Sequence, residues 1–245
     1  MGLLTVVTSG KGGAGKSTVT AGLGCALAKQ GQKVLLVDAD AGLRSLDLML
    51  GIGGAVHDMA DVFLGNCEPI RAVYPSPICA GVFVIPAPVS LERLCTPEDM
   101  RRLCRGFARH YDTVLIDCPA GVGSGFKAAI AGADRAIVVT TPDMVCARDA
   151  QIVSRLLQDA QLPARLIINR LRALPIMRGR MPDVDEIIDT AGIQLLGILP
   201  EDEAVAVANA NARPLPSDCN AATCFDNIAR RYRGEEIPLA RLEKM

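Results

Sequence analysis

Seven short β-branched runs punctuate the chain, at 3–8, 33–38, 82–86, 113–117, 135–140, 164–169 and 194–200. Each is apolar along most of its length, the pattern of strands covered on both faces. Between them, apolar residues recur at helical spacing over 16–30, 97–107, 145–161, 184–191 and 223–233. Thr96 stands where an N-cap is expected, with Pro97 at the first helical position. This alternation predicts right-handed βαβ crossovers and an α/β fold with a doubly wound, mostly parallel sheet and helices on both faces. Ligands then bind beyond the carboxyl ends of the strands. Residues 41–80 are the least regular stretch and are expected to hold short helices. No linker or repeat divides the chain, so 1–234 read as one domain and 235–245 as a short tail.

Composition narrows the class. A length of 245 residues suits one large α/β domain. Half the residues are hydrophobic and mean hydropathy is +0.28. No apolar run approaches the roughly 20 residues of a membrane-spanning helix. The apolar stretch at the N-terminus is too short for a secretory signal, and Val6 breaks the myristoylation pattern. Nine cysteines without a Cys-x-x-Cys pair suit reduced thiols, so a cytoplasmic location is expected. A net charge of −1 gives no global pull toward nucleic acid or anionic lipid.

Gly10-Lys11-Gly12-Gly13-Ala14-Gly15-Lys16-Ser17 matches G-x-x-x-x-G-K-[ST] between a predicted strand and a predicted helix, the context that motif requires. Glycines let backbone N–H groups turn inward around phosphate oxygens, and the helix N-terminus adds positive potential. Lys16 can reach the β and γ phosphates, and the Ser17 hydroxyl can ligate Mg²⁺. ATP and Mg²⁺ are the expected ligands, held from Gly10 to Thr18. Two further strands end in acids, Val37-Asp38-Ala39-Asp40 and Leu115-Ile116-Asp117-Cys118-Pro119. Asp117 has the placement of a metal-holding carboxylate. Asp38 is the candidate for the outer shell of the metal and Asp40 for orienting the attacking water, although a capping or turn role for either Asp stays open. Gly121, Gly123 and Gly125 suggest a loop free to move with the γ-phosphate. After the sixth run, Asn169-Arg170-Leu171-Arg172 lacks the carboxylate that guanine recognition in an Asn-Lys-x-Asp string demands, which favours adenine.

The string Lys11-Gly12-Gly13-Ala14-Gly15-Lys16-Ser17-Thr18 resembles the deviant Walker A loop of the MinD/ParA family, and the resemblance extends over nearly the whole chain. It is carried further by Asp40-Ala41-Gly42-Leu43-Arg44-Ser45-Leu46-Asp47, Asp117-Cys118-Pro119-Ala120-Gly121, Thr140-Thr141-Pro142-Asp143 with Arg148-Asp149, and Gly197-Ile198-Leu199-Pro200-Glu201-Asp202. These strings point to its septum-site branch. The resemblance implies an ATPase that forms a nucleotide-sandwich homodimer, in which Lys11 reaches the partner's phosphates. It makes Lys11, Lys16 and Asp40 the catalytic candidates and Ser17, Asp38 and Asp117 the metal ligands. It sets Asn169, Pro200 and Asp202 beside the base, although Asn169 also reads as a turn residue. It implies switch segments around Asp38 to Arg44 and Asp117 to Gly121, and places Asp149 on a surface for partners. Those partners are a division inhibitor, recruited to the membrane, and a topological regulator.

The tail departs from that pattern. Pro238 bars a long helix, so the amphipathic tip expected for membrane attachment is short. Rival readings are a DNA-partitioning ATPase of ParA type, using Arg165, Arg170, Arg172, Arg178 and Arg180 or Arg230, Arg231 and Arg233, and a flagellar regulator, which would carry an N-terminal extension. An iron–sulfur carrier is a third, but Cys219 and Cys224 have the wrong spacing.

Overall fold

The computed structural model describes residues 1–41, 44–88 and 95–239. The first half runs β1 (Leu3–Thr8), α1 (Lys16–Lys29), β2 (Val34–Asp38), α2 (Ser45–Met49), α3 (Met59–Leu64), a 3-10 turn (Pro69–Ala72), β3 (Tyr74–Pro75), β4 (Val82–Ile85) and α4 (Pro97–Phe107). Then follow β5 (Thr113–Asp117), α5 (Ser124–Ala131), β6 (Arg135–Thr140), α6 (Met144–Asp159), β7 (Ala164–Leu171), α7 (Ala173–Met177), α8 (Val184–Ala191), β8 (Leu195–Pro200), α9 (Glu203–Ala210) and α10 (Asn220–Tyr232).

The strands form one sheet in the order β3-β4-β2-β5-β1-β6-β7-β8, parallel except for the β3–β4 pair. Its inner strands carry apolar side chains to both faces, as a sheet covered on both sides requires. Leu4, Val6, Val114 and Ile116 pack toward Met100 of α4, Phe126 of α5 and Val153 of α6. Val7, Leu36 and Leu115 pack toward Val19, Leu23 and Leu27 of α1 and Phe225 and Ile228 of α10. All seven expected strands form, with β7 running on to Leu171. Thr96 and Asp99 make a reciprocal capping box at the start of α4, with Pro97 in the first turn.

Two elements depart from the expectation. Gly125 lies inside α5 and not in a mobile loop, because its lack of a Cβ lets the helix approach Pro119; an added Cβ would meet the ring Cγ at 2.6 Å. Asn169 lies within β7 and not in a turn after it.

Candidate nucleotide site

Adjacent strands bring the acids together. Asp38 at the end of β2 is in register with Asp117 at the end of β5, and Asp117 is opposite Val7 of β1, just before the loop. The loop from Ser9 to Gly15 then delivers Lys16 as the first residue of α1. Gly13 and Gly15 adopt φ of 85° and 91°, a left-handed conformation that glycine alone takes without strain. No side chain caps α1, and its first turn holds no acid, so its leading N–H groups stay free for an anion. Lys16 is 6 % exposed.

Carboxylates crowd this lysine. Asp117 is fully buried. Burial, with the Asp38 charge beside it, pushes its carboxyl up to about 7, against hydrogen bonding from Ser17 and the charge of Lys16. Burial likewise pushes Asp38 to about 6, although its two oxygens accept from Asp40 N at 3.1 Å and Leu46 N at 3.2 Å. Asp40 is half-buried and raised by burial, an effect partly offset by Lys16. Thr20 Oγ1 approaches Asp117 Oδ1 at 3.4 Å, while Asp117 Oδ2 is buried with no hydrogen-bond partner among the described residues. A buried anionic oxygen without a donor is costly and suits a hard cation. Ser17, Asp38 and Asp117 are therefore a fitting donor set for Mg²⁺.

Asn169 ties the phosphate loop to β7. Its Nδ2 donates to Ala14 O at 2.9 Å and lies 2.3 Å from where a Cβ on Gly15 would stand. A bulge between Ile168 and Leu171, with Arg170 at φ 56°, turns this stretch toward the loop. Asn169 also lines a cleft of about 490 Å³ with Thr18, Pro200, Asp202 and Asn209. Asp202 serves the scaffold of that cleft. One oxygen accepts from Ala204 N at 2.9 Å, capping α9, and the other from Ala221 N at 3.1 Å on α10.

Lys11 is exposed. Burial raises the Asp143 carboxyl, but hydrogen bonds from Cys146 and Thr141 and the Lys11 charge together hold it below the ordinary range. The Lys11 charge is thus felt at the N-terminus of α6. Asp149, expected on an open surface, is half-buried, and its backbone packs so closely on Gly10 that a Cβ there would meet it at 2.4 Å. Of the string from Asp40 to Asp47, Gly42 and Leu43 lie outside the described residues.

Sequence reasoning missed two polar residues. Thr20 stands one helical turn after Lys16, a spacing that was available as a signal. Asn209, whose Nδ2 reaches Thr18 Oγ1 at 3.3 Å, sits on α9, for which no apolar periodicity spoke. Cys224 is buried and Cys219 sits at the N-cap of α10, an ordinary structural setting. Several arginines of the rival phosphate patch have local partners: Arg165 on Leu195 O, Arg172 on Glu201, Arg230 on Glu235 and Arg231 on Ile237 O.

A parallel sheet, a glycine loop feeding an uncapped helix, and acids at two neighbouring strand ends define a P-loop nucleotide-binding protein. Residues 5–215 match the CobQ/CobB/MinD/ParA nucleotide binding domain, and the chain belongs to that family of nucleotide-binding ATPases. Within it the chain is of the MinD type. It is 40% identical to the septum site-determining protein MinD of Bacillus subtilis, over all of this chain and 94% of the relative. It is 39% identical to that of Thermotoga maritima, over 98% of this chain and 91% of the relative. The MinD chain type recurs in the solved MinC:MinD cell division complex of Aquifex aeolicus, similar with TM-score 0.91 and 35% identity over 98% of both chains. MinD of Pyrococcus horikoshii, complexed with Mg-ADP, has TM-score 0.85 and 30% identity over 95% of this chain and 96% of that one.

Proposed function

We propose that this chain is a Mg²⁺-dependent ATPase that hydrolyses ATP slowly to ADP and phosphate, dimerises when ATP is bound, and positions the division septum by recruiting a division inhibitor to the membrane. The observation that carries the reading is the buried Asp117 Oδ2, without a hydrogen-bond partner among the described residues, in a cluster with Asp38 and Asp40 that Lys16 adjoins, at the mouth of an uncapped helix. The relatives that this chain resembles are septum site-determining proteins, one of them solved with a division-inhibitor partner, and that favours the same role.

The backbone from Gly10 to Thr18 cradles the phosphates, and Lys16 pairs with the β and γ groups. Ser17 and Asp117 hold Mg²⁺, with Asp38 ordering its outer shell. The cation supplies charge neutralisation among phosphate oxygens. Asp40, half-buried and next to the Lys16 charge, orients the attacking water. The exposed Lys11 reaches the phosphates of a second copy, where its charge stabilises the transferred phosphoryl group. Asn169 and the Pro200–Asp202 turn take the adenine in the 490 Å³ cleft. Residues 1–234 act as one ATPase domain. The tail from 235 acts as a membrane anchor when a dimer presents two copies, at the inner face of the cell membrane. A topological regulator stimulates hydrolysis and releases the dimer.

The test combines light scattering with sedimentation on liposomes containing anionic lipid, in ATP and in ADP, for the native chain and Lys11→Ala. A doubling of mass and pelleting in ATP, both lost in Lys11→Ala while nucleotide affinity stays within about twofold, is the expected result. A monomer under ATP would remove the dimer switch. Dimerisation without pelleting would leave the ATPase reading and remove membrane recruitment as an unaided activity.

A further inference from the structure

Asn209 ties α9 to α1, the helix that opens at the phosphate loop. Its Nδ2 donates to Thr18 Oγ1 at 3.3 Å, across 191 positions of sequence. The helix that carries Asn209 is itself held in place. Asp202 caps its start with one oxygen and accepts from Ala221 N of α10 with the other, and Ala208 beside Asn209 is buried. Both partners of the bond line the cleft of about 490 Å³, and both also line a cavity of about 390 Å³ between α1, α9 and α10. The bond is thus a partition between the two spaces.

The direction of the bond decides what Thr18 can do. A threonine hydroxyl has one proton and two lone pairs. Inside a helix the proton can go to the carbonyl four residues back, as Thr20 Oγ1 donates to Lys16 O at 2.9 Å. For Thr18 that carbonyl is Ala14 O, which already accepts from Asn169 Nδ2 at 2.9 Å. Asn209 supplies a donor, so it engages a lone pair of Thr18 and leaves the proton free; no acceptor among the described residues takes it. Thr18 stands two residues beyond Lys16 on the same helix and lines the cleft with Asn169 and Pro200. A nucleotide running from the loop into that cleft brings its α-phosphate past this hydroxyl.

We propose that Asn209 is a positioning residue for the nucleotide: by donating to Thr18 Oγ1 it fixes the hydroxyl so that its proton is given to the α-phosphate. The role rests on the nucleotide site proposed for this chain, and it gives α9 a hold on the phosphates through α1. A hydroxyl donating to an anionic oxygen makes a charge-assisted bond, stronger than a neutral one, so fixing its rotation strengthens binding.

Calorimetric titration of the full chain with Mg²⁺-ADP and with a non-hydrolysable ATP analogue, beside ³¹P spectra of bound ADP, is the test. In Asn209→Ala both affinities should fall by the same factor, about five- to tenfold, with the α-phosphorus resonance displaced and the β resonance held. Asn209→Leu, close to Asn in size and a better helix former, should lose as much with the fold intact. Thr18→Val should lose at least that factor, and Thr18→Ser, which keeps the hydroxyl, should bind as the native chain does. Adding Asn209→Ala to Thr18→Val should cost less than about twofold more, because Asn209 acts through that hydroxyl. Additive losses in the double variant, or native affinity in both Asn209 variants, would overturn the role and leave the nucleotide site in place. A native chain that binds neither nucleotide would overturn the site and the role together.

Discussion

The acids of the nucleotide site make its stability depend on pH in a direction that can be worked out. Asp38 and Asp117 titrate at about 6 and about 7 in the folded chain, above the ordinary value of 3.8. Between these limits the folded state holds more protons than the unfolded one, so stability falls as pH rises from about 4 to about 7. Thermal or urea unfolding of the nucleotide-free chain should give a loss on the order of 2–4 kcal/mol from pH 5 to pH 7.5. Asp117→Asn should remove most of that slope, and an unchanged slope would show that the cluster is not its source. A second residue-scale prediction concerns Gly15→Ala. The added methyl meets Asn169 Nδ2 at 2.3 Å and φ is 91°, so loop and strand cannot both keep their places. Affinity for a fluorescent ATP analogue should drop at least about tenfold, by loss of the aligned N–H groups that hold phosphate. The glycines, lysines and strand-end acids were legible because each motif fixes residue type and spacing. The Asn169 bond to Ala14 was not, because it joins residues 155 positions apart through a bulge that leaves no pattern.

Elements differ in how their ends are satisfied: α2, α5, α7 and α10 lack a side-chain cap, as α1 does. At α3, α4 and α8 the chain supplies reciprocal capping boxes, from Asp58 and Asp61, Thr96 and Asp99, and Asp183 and Glu186. At α1 the chain supplies none. Thr96→Ala should cost about 1 kcal/mol in urea unfolding, since it orphans an N–H of α4. Nucleotide affinity should not move, because α4 lies outside the site. Strong amphipathic helices such as α4 and α10 could be read from their spacing. The helices α5, α7 and α9 could not: they are short, and small residues such as Ala204, Ala206 and Ala208 of α9 give no apolar stripe. The edge strand β3 escaped for a related reason, being two residues long with Pro75 in it.

At the scale of the whole molecule, the strand order sets what the sequence could only imply. With β1 between β5 and β6, and β2 beyond β5, the ends of β1, β2 and β5 stand side by side. Three segments far apart in sequence thus meet at one edge of the core, and the class of the site followed from their placement after strands. The rival reading as a phosphate-binding arginine patch loses ground at this scale, because Arg165 and Arg231 are drawn to the sheet edge. Their guanidinium groups donate to Leu195 O at 2.9 Å and Leu196 O at 3.2 Å on β8. At the opposite edge, Pro75 leaves β3 without one donor, and the strand stops after two residues. Both margins of the sheet are therefore closed to a foreign strand, by plugged carbonyls on one side and a missing N–H on the other. Arg231→Ala should reopen one margin, with faster growth of thioflavin-positive aggregates on mild heating; unchanged growth would show that the plug is dispensable. A chain built this way can crowd a surface at high local concentration without its copies zipping into fibrils, leaving reversible contacts between side chains as its route to self-association.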